Sequence, residues 1–213
     1  MLKQLQAATG LVFAAFLVVH LINTWLAAAG PVVYDSVQSV MRTGYQFAPI
    51  EALILAAGAV HAVIGVMRWV REPGRELTAT ARWHRRSAVF LLVFIVGHVL
   101  AVRGPSWWFD VYPGFDGLAF SMEFAPYYFY PYYFLLAMAG FFHGLNGSMI
   151  ALRRLGVRVS AGAPAMQRVS AMAAIFTVVA LLALGGVWFD VGPVHESDFA
   201  QLGARLFGIE LAE

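Results

Sequence analysis

Five long apolar stretches, each bounded by charge, proline or aromatic residues, constrain this chain more than any other feature. They lie near residues 7–29, 49–69, 87–103, 127–152 and 167–189. A bilayer core takes about 20 apolar residues per helix. The third stretch is short, and Arg103 at its end is expected to snorkel to the interface. Overall 61% of the 213 residues are hydrophobic and 12% are charged, far from the ~25% charged residues of an average soluble domain. The expected fold class is an all-α integral membrane protein with five transmembrane helices. The first stretch carries a polar His-Leu-Ile-Asn segment and no small-residue cleavage site, so it reads as a retained helix rather than a signal peptide. Residues 1–189 are expected to form one five-helix domain. Residues 190–213 form an outer-side tail, in which "FAQLGARLFGIEL" reads as a short amphipathic helix.

The charges predict an orientation. Lys3 precedes the first span. Arg68, Arg71, Arg75, Arg82, Arg85 and Arg86 fall between the second and third, and Arg153, Arg154, Arg158 and Arg168 between the fourth and fifth. Eleven of fourteen basic residues thus share one side, leaving Arg42, Arg103 and Arg205 on the other. The positive-inside rule makes the first side cytoplasmic, with the N-terminus inside and the C-terminus outside. These arginines record topology and also offer a docking face for a cytoplasmic partner. The net charge of +2 therefore says little about nucleic acid. On the outer side, Trp107, Trp108, Tyr127, Tyr128, Tyr130, Tyr132 and Tyr133 suit an interfacial aromatic belt, or the lining of a site for a flat lipophilic ligand.

The first four spans each hold one internal histidine: His20, His61, His98 and His143. An ionisable group at membrane depth is costly, and four on successive helices point to function. His84, among the arginines, and His195, in the tail, are expected to be solvated. At about 1.5 Å of rise per residue, His61 lies about 10 Å from Arg68, His143 about 15 Å from Arg153, His98 about 18 Å from Arg86, and His20 about 20 Å from the start of the first span. His61 and His143 thus group nearer the cytoplasm, and His20 and His98 nearer the outside. Two pairs at two depths suit two bis-histidine haems b, whose imidazole ligands occupy both axial positions and leave electron transfer as the chemistry. The chain has no cysteine, which excludes thiolate metal sites, iron–sulfur ligation and covalent haem attachment by its own residues. Gly58, Gly65, Gly97, Gly140, Gly144 and Gly147 near the ligands permit close approach of either a porphyrin or a neighbouring helix.

Four segments, "TGLVFAAFLVVHLINTW", "IEALILAAGAVHAVIGV", "RRSAVFLLVFIVGHVLAVRG" and "FFHGLNGSMIALRRLGV", the last followed by "QRVS", together with histidine spacings of 41, 37 and 45, resemble the five-helix, di-haem cytochrome b subunit of succinate dehydrogenases and fumarate reductases. The resemblance runs from about residue 8 to 172. The tyrosine-rich entry to the fourth span and the long tail do not match it. It implies a bacterial-type inner membrane location, flavoprotein and iron–sulfur subunits on the cytoplasmic face, and electron exchange with a membrane quinone (menaquinone or ubiquinone). It also implies an outer haem shared by the first and third spans and an inner one shared by the second and fourth. Arg82, Arg85 or Arg86 would then suit haem propionates, since guanidinium forks match carboxylates. Glu51, two residues after Pro49, is an acid favoured by the helix dipole, and the resemblance equally implies a proton-exchanging group for quinone there. Two rival readings are a di-haem quinol-linked cytochrome b serving another dehydrogenase, and a proton-coupled transporter with a histidine relay. The latter would call for discontinuous helices and half-repeats, which the sequence lacks.

Overall fold

The computed structural model describes residues 1–71, 77–159, 162–208 and 210–211. Arg75, counted among the clustered arginines, lies outside them. All regular structure among the described residues is helical: α1 (Leu2–Trp25), extended by a 3₁₀ turn (Leu26–Ala29), α2 (Pro31–Tyr45), α3 (Ala48–Arg71), α4 (Ala79–Phe109), α5 (Phe115–Phe124), α6 (Pro126–Arg154), α7 (Ala163–Leu184), a second 3₁₀ turn (Val194–Glu196) and α8 (Asp198–Phe207). Five of these, α1 with its 3₁₀ turn, α3, α4, α6 and α7, are long and apolar enough to cross a membrane.

The boundaries differ from the sequence expectation in instructive ways. The third span, expected over 87–103, runs over 31 residues. It starts at an N-cap on Thr78, whose hydroxyl accepts from the Ala81 amide at 3.3 Å. Arginine is a good helix former and carries its charge beyond its own backbone, so the helix need not stop where the arginines begin. At the other end α4 continues past Pro105, since proline so near the last turn forfeits a single hydrogen bond. Arg103 therefore sits inside a helix rather than snorkelling from its end. The segment 104–126, expected as a loop, also folds in part: Asp35 Oδ1 accepts from the Phe115 amide at 2.9 Å and caps the start of α5.

Around α5 gathers a cap at the end of the bundle opposite the arginine cluster. α2 begins with Pro31 at its first turn, after Gly30 at φ +96°. α8 is capped by Ser197 and closed by left-handed Gly208. The tail helix does form, and it buries Ala200 and Leu202. Ala27, Tyr34, Phe115, Ala119, Met122, Leu181, Leu184 and Val194 make a buried core joining the cap to α7.

The bundle beneath is different. α1 packs on α3 and α6, and α6 packs on α4 and α7. α4 makes next to no close backbone approach to α1 or α3. Long side chains reach across that separation instead, and among them are the histidines.

Candidate functional site

At the capped end, His20 of α1 faces His98 of α4 with ring centroids 6.1 Å apart and planes at 70°. Phe16, one turn before His20, stacks on it at 5.5 Å and 20° and meets Tyr45 edge-on at 5.6 Å. At the arginine-rich end, His61 of α3 faces His143 of α6, again at 6.1 Å, with planes at 85°. The structure therefore brings together the two pairs expected from depth. His61 lies beside Gln6, and 14 residues of α1 separate Gln6 from His20, so the two pairs are stacked along the helix axis about 20 Å apart.

Both rings at the arginine-rich end are oriented by backbone. His61 Nδ1 lies 3.0 Å from the Gln6 carbonyl oxygen, and His143 Nδ1 lies 3.3 Å from that of His84. A carbonyl can only accept, so each Nδ1 carries the proton and each Nε2 keeps its lone pair for a metal. Gln6 is itself held: its side-chain oxygen accepts from Arg68 at 2.6 Å.

Imidazole pairs of this kind fit haem. A ligating nitrogen lies about 2.0–2.1 Å from a transition metal and about 1.1 Å from its own ring centre, so two rings gripping one ion end-on have centroids about 6.3 Å apart. Among the described residues no group of three or more His, Asp or Glu is arranged to hold a metal ion. Two protein ligands are too few for a bare ion but sufficient for an iron whose other four ligands come from a porphyrin. Two buried side-chain polar atoms also lack partners among the described residues, Asn23 Oδ1 and His84 Nδ1. One lies a turn from His20 and the other against His143.

The glycines divide by cause. A Cβ on Gly58 would press on Phe13, and one on Gly140 or Gly144 would meet Leu17, so these three serve helix packing on α1. A Cβ on Gly97, beside His98, would meet nothing within 4 Å. Gly10, not singled out from sequence, is a close-approach site: a Cβ there would lie 2.8 Å from His61 Cε1 and Nδ1.

Glu51 ties α3 to α4 through a two-pronged ion pair, its Oε1 and Oε2 accepting from Arg103 Nε at 2.5 Å and Nη2 at 2.9 Å. Side-chain exposures of 18% and 16% make this a largely buried pair. Arg103 also donates to Ser106 Oγ and lies over the Trp107 ring. Each Glu51 oxygen keeps a second lone pair. Burial pushes the Tyr45 hydroxyl up from its ordinary range, against the pull of the Arg42 and Arg103 charges. Of the three arginines expected near propionates, Arg82 donates to the Leu77 carbonyl at 2.8 Å. Arg85 lies over Trp69 and Arg86 over Trp83.

His84 corrects the expectation of a solvated residue. It lies within α4, half-buried, with its ring stacked on His143. The sequence held the signal: 14 residues separate His84 from His98, which on a continuous helix puts both on nearly one face. Comparison with family models, curated proteins and solved structures gives no match.

Proposed function

We propose that the chain is the membrane-anchor cytochrome b subunit of a succinate:quinone or quinol:fumarate oxidoreductase. It passes electrons between an iron–sulfur subunit and membrane quinone through two bis-histidine haems b. The observation that carries this reading is the repeated 6.1 Å separation of two imidazole pairs, each drawn from two different membrane-length helices. When bound, each haem supplies a one-electron couple. The organic chemistry belongs to other subunits.

The protein's own part is to hold and orient. His20 with His98, and His61 with His143, would hold the two haems between α1 and α4 and between α3 and α6. Gln6 and the His84 carbonyl fix the ligand tautomers at the second pair, the task an outer shell performs in metal sites. With the arginine-rich end cytoplasmic by the positive-inside rule, His61/His143 is the inner pair, nearer the flavoprotein and iron–sulfur subunits. Arg82, Arg85, Arg86 and their neighbours form the docking face and supply propionate partners. His20/His98 is the outer pair, and Glu51 beside Arg103 is the proton-exchanging group for quinone at that level.

An absorption spectrum of the purified protein, followed by the subunit content of the native complex, tests the proposal. Low-spin haem b together with a co-purifying flavoprotein active on succinate or fumarate is expected. Haem without such a partner would favour a cytochrome b serving another dehydrogenase. A colourless protein would leave the histidine relay.

A further inference from the structure

The arginine-rich end carries a third imidazole with no part in the scheme above. The rings of His84 and His143 lie flat on one another, centroids 4.1 Å apart and planes 8° apart. The backbone doubles the contact, because His143 Nδ1–H donates to the carbonyl oxygen of His84 itself. That carbonyl also accepts from the Ser87 hydroxyl at 2.9 Å. Room for the His84 ring comes from Gly147, one turn beyond His143, where a Cβ would lie 3.4 Å from His84 Cε1.

His84 is badly placed to be a ligand. Two parallel rings 4.1 Å apart aim their nitrogens along separate lines, so they do not converge on one iron. The stack adds a second restraint on the turning of the His143 ring, beside its Nδ1 hydrogen bond. An axial imidazole is free to rotate about the metal–nitrogen bond unless its surroundings hold it. His61, opposite, is held by Gln6, and the His61 and His143 planes stand at 85°.

We infer that His84 is a positioning residue, whose ring locks the plane of His143 and so keeps the two imidazoles of the arginine-end pair close to perpendicular. This rests on the haem reading and adds a role for a residue that touches neither iron nor quinone. The angle between axial imidazole planes sets the splitting of the iron d orbitals that axial ligands perturb. Perpendicular planes leave two of those orbitals nearly degenerate and give low-spin ferric haem a high g-max. Turning the planes toward parallel separates them and lowers it.

The test uses the full-length protein, with haem stoichiometry and the electron paramagnetic resonance spectrum of the oxidised form as readouts. The backbone carbonyl that binds His143 survives every side-chain substitution, so the variants isolate the stack. His84→Ala is expected to keep two haems, lower or broaden the g-max of the arginine-end haem and shift its midpoint potential, and leave the capped-end signal alone. His84→Phe, which keeps a flat ring on His143, is expected to restore the native signal. A native spectrum in His84→Ala, or a shift in His84→Phe as large as in His84→Ala, overturns the inference. If His84→Ala does not assemble, His84→Phe decides: two haems with the native signal support the stack, and loss of a haem there contradicts it. Wild-type protein without haem would sink the functional proposal and this inference together. A di-haem wild type with an insensitive His84→Ala would sink the inference only.

Discussion

The two histidine pairs share a separation, 6.1 Å, and little else. At the arginine-rich end each ring is tied through Nδ1 to a carbonyl, and one is backed by a third imidazole. At the capped end packing does the work: Phe16 stacks on His20, and the Glu51–Arg103 pair fastens α3 to α4 beyond the rings. One end is organised by directional bonds to backbone and the other by aromatic contact beside a largely buried ion pair. A hydrogen bond to Nδ1 fixes a ligand's tautomer and ring orientation and raises its basicity, whereas stacking restrains its plane alone. The two ends therefore answer to different substitutions, and that difference can be attacked one end at a time.

On the haem proposal, the largest effect is expected from the four proposed ligands. His61→Ala or His143→Ala should remove the haem of the arginine-rich end and keep the other, and His20→Ala or His98→Ala should do the reverse, as read by haem quantification and resonance spectra. Loss of both haems in every variant would mean that the pairs are not separate sites. Next in size, Glu51→Gln should lower quinone-linked turnover about a hundredfold, the usual contribution of a proton-transferring group, with haem content unchanged. Normal turnover would remove Glu51 from the quinone site. Gly10→Ala should disturb only the arginine-end haem, because its Cβ would displace His61 and weaken a bond to Gln6 worth about 1 kcal/mol. Gly144→Ala makes a good control, since its Cβ meets only the movable tip of Leu17. The smallest effect is expected from Phe16→Leu, which removes a ring contact worth about 0.5–1.5 kcal/mol. It should shift the capped-end signal alone, and a change confined to the other haem would overturn the assignment of Phe16 to that end.

Much of this architecture was legible in the chain because membrane helices are written in hydropathy. A 20-residue apolar run has few alternatives in lipid, and the rise per residue converts histidine positions into depths. Both pairs followed from that arithmetic. What was not legible depends on partners distant in sequence. Arg103 looked like a terminal anchor because its partner, Glu51, is 52 residues away. Gln6, an ordinary polar residue near the N-terminus, matters only because its carbonyl meets His61, 55 residues on. His84 was hidden by its arginine neighbours, which suggested water where the helix in fact continues. The cap escaped notice because the Gly- and Pro-rich composition of 104–126 reads as loop, and α5 is capped from outside, by Asp35 of α2.

The central claim is that two iron porphyrins each sit between imidazoles from separate spans. Its most direct measurement is the number and spin state of haems in the purified chain, from a pyridine haemochrome assay beside a low-temperature resonance spectrum. The account predicts two haems b per chain, both low-spin, with two resolved ferric signals. A chain that binds no haem, or binds one with an open axial position, would contradict it.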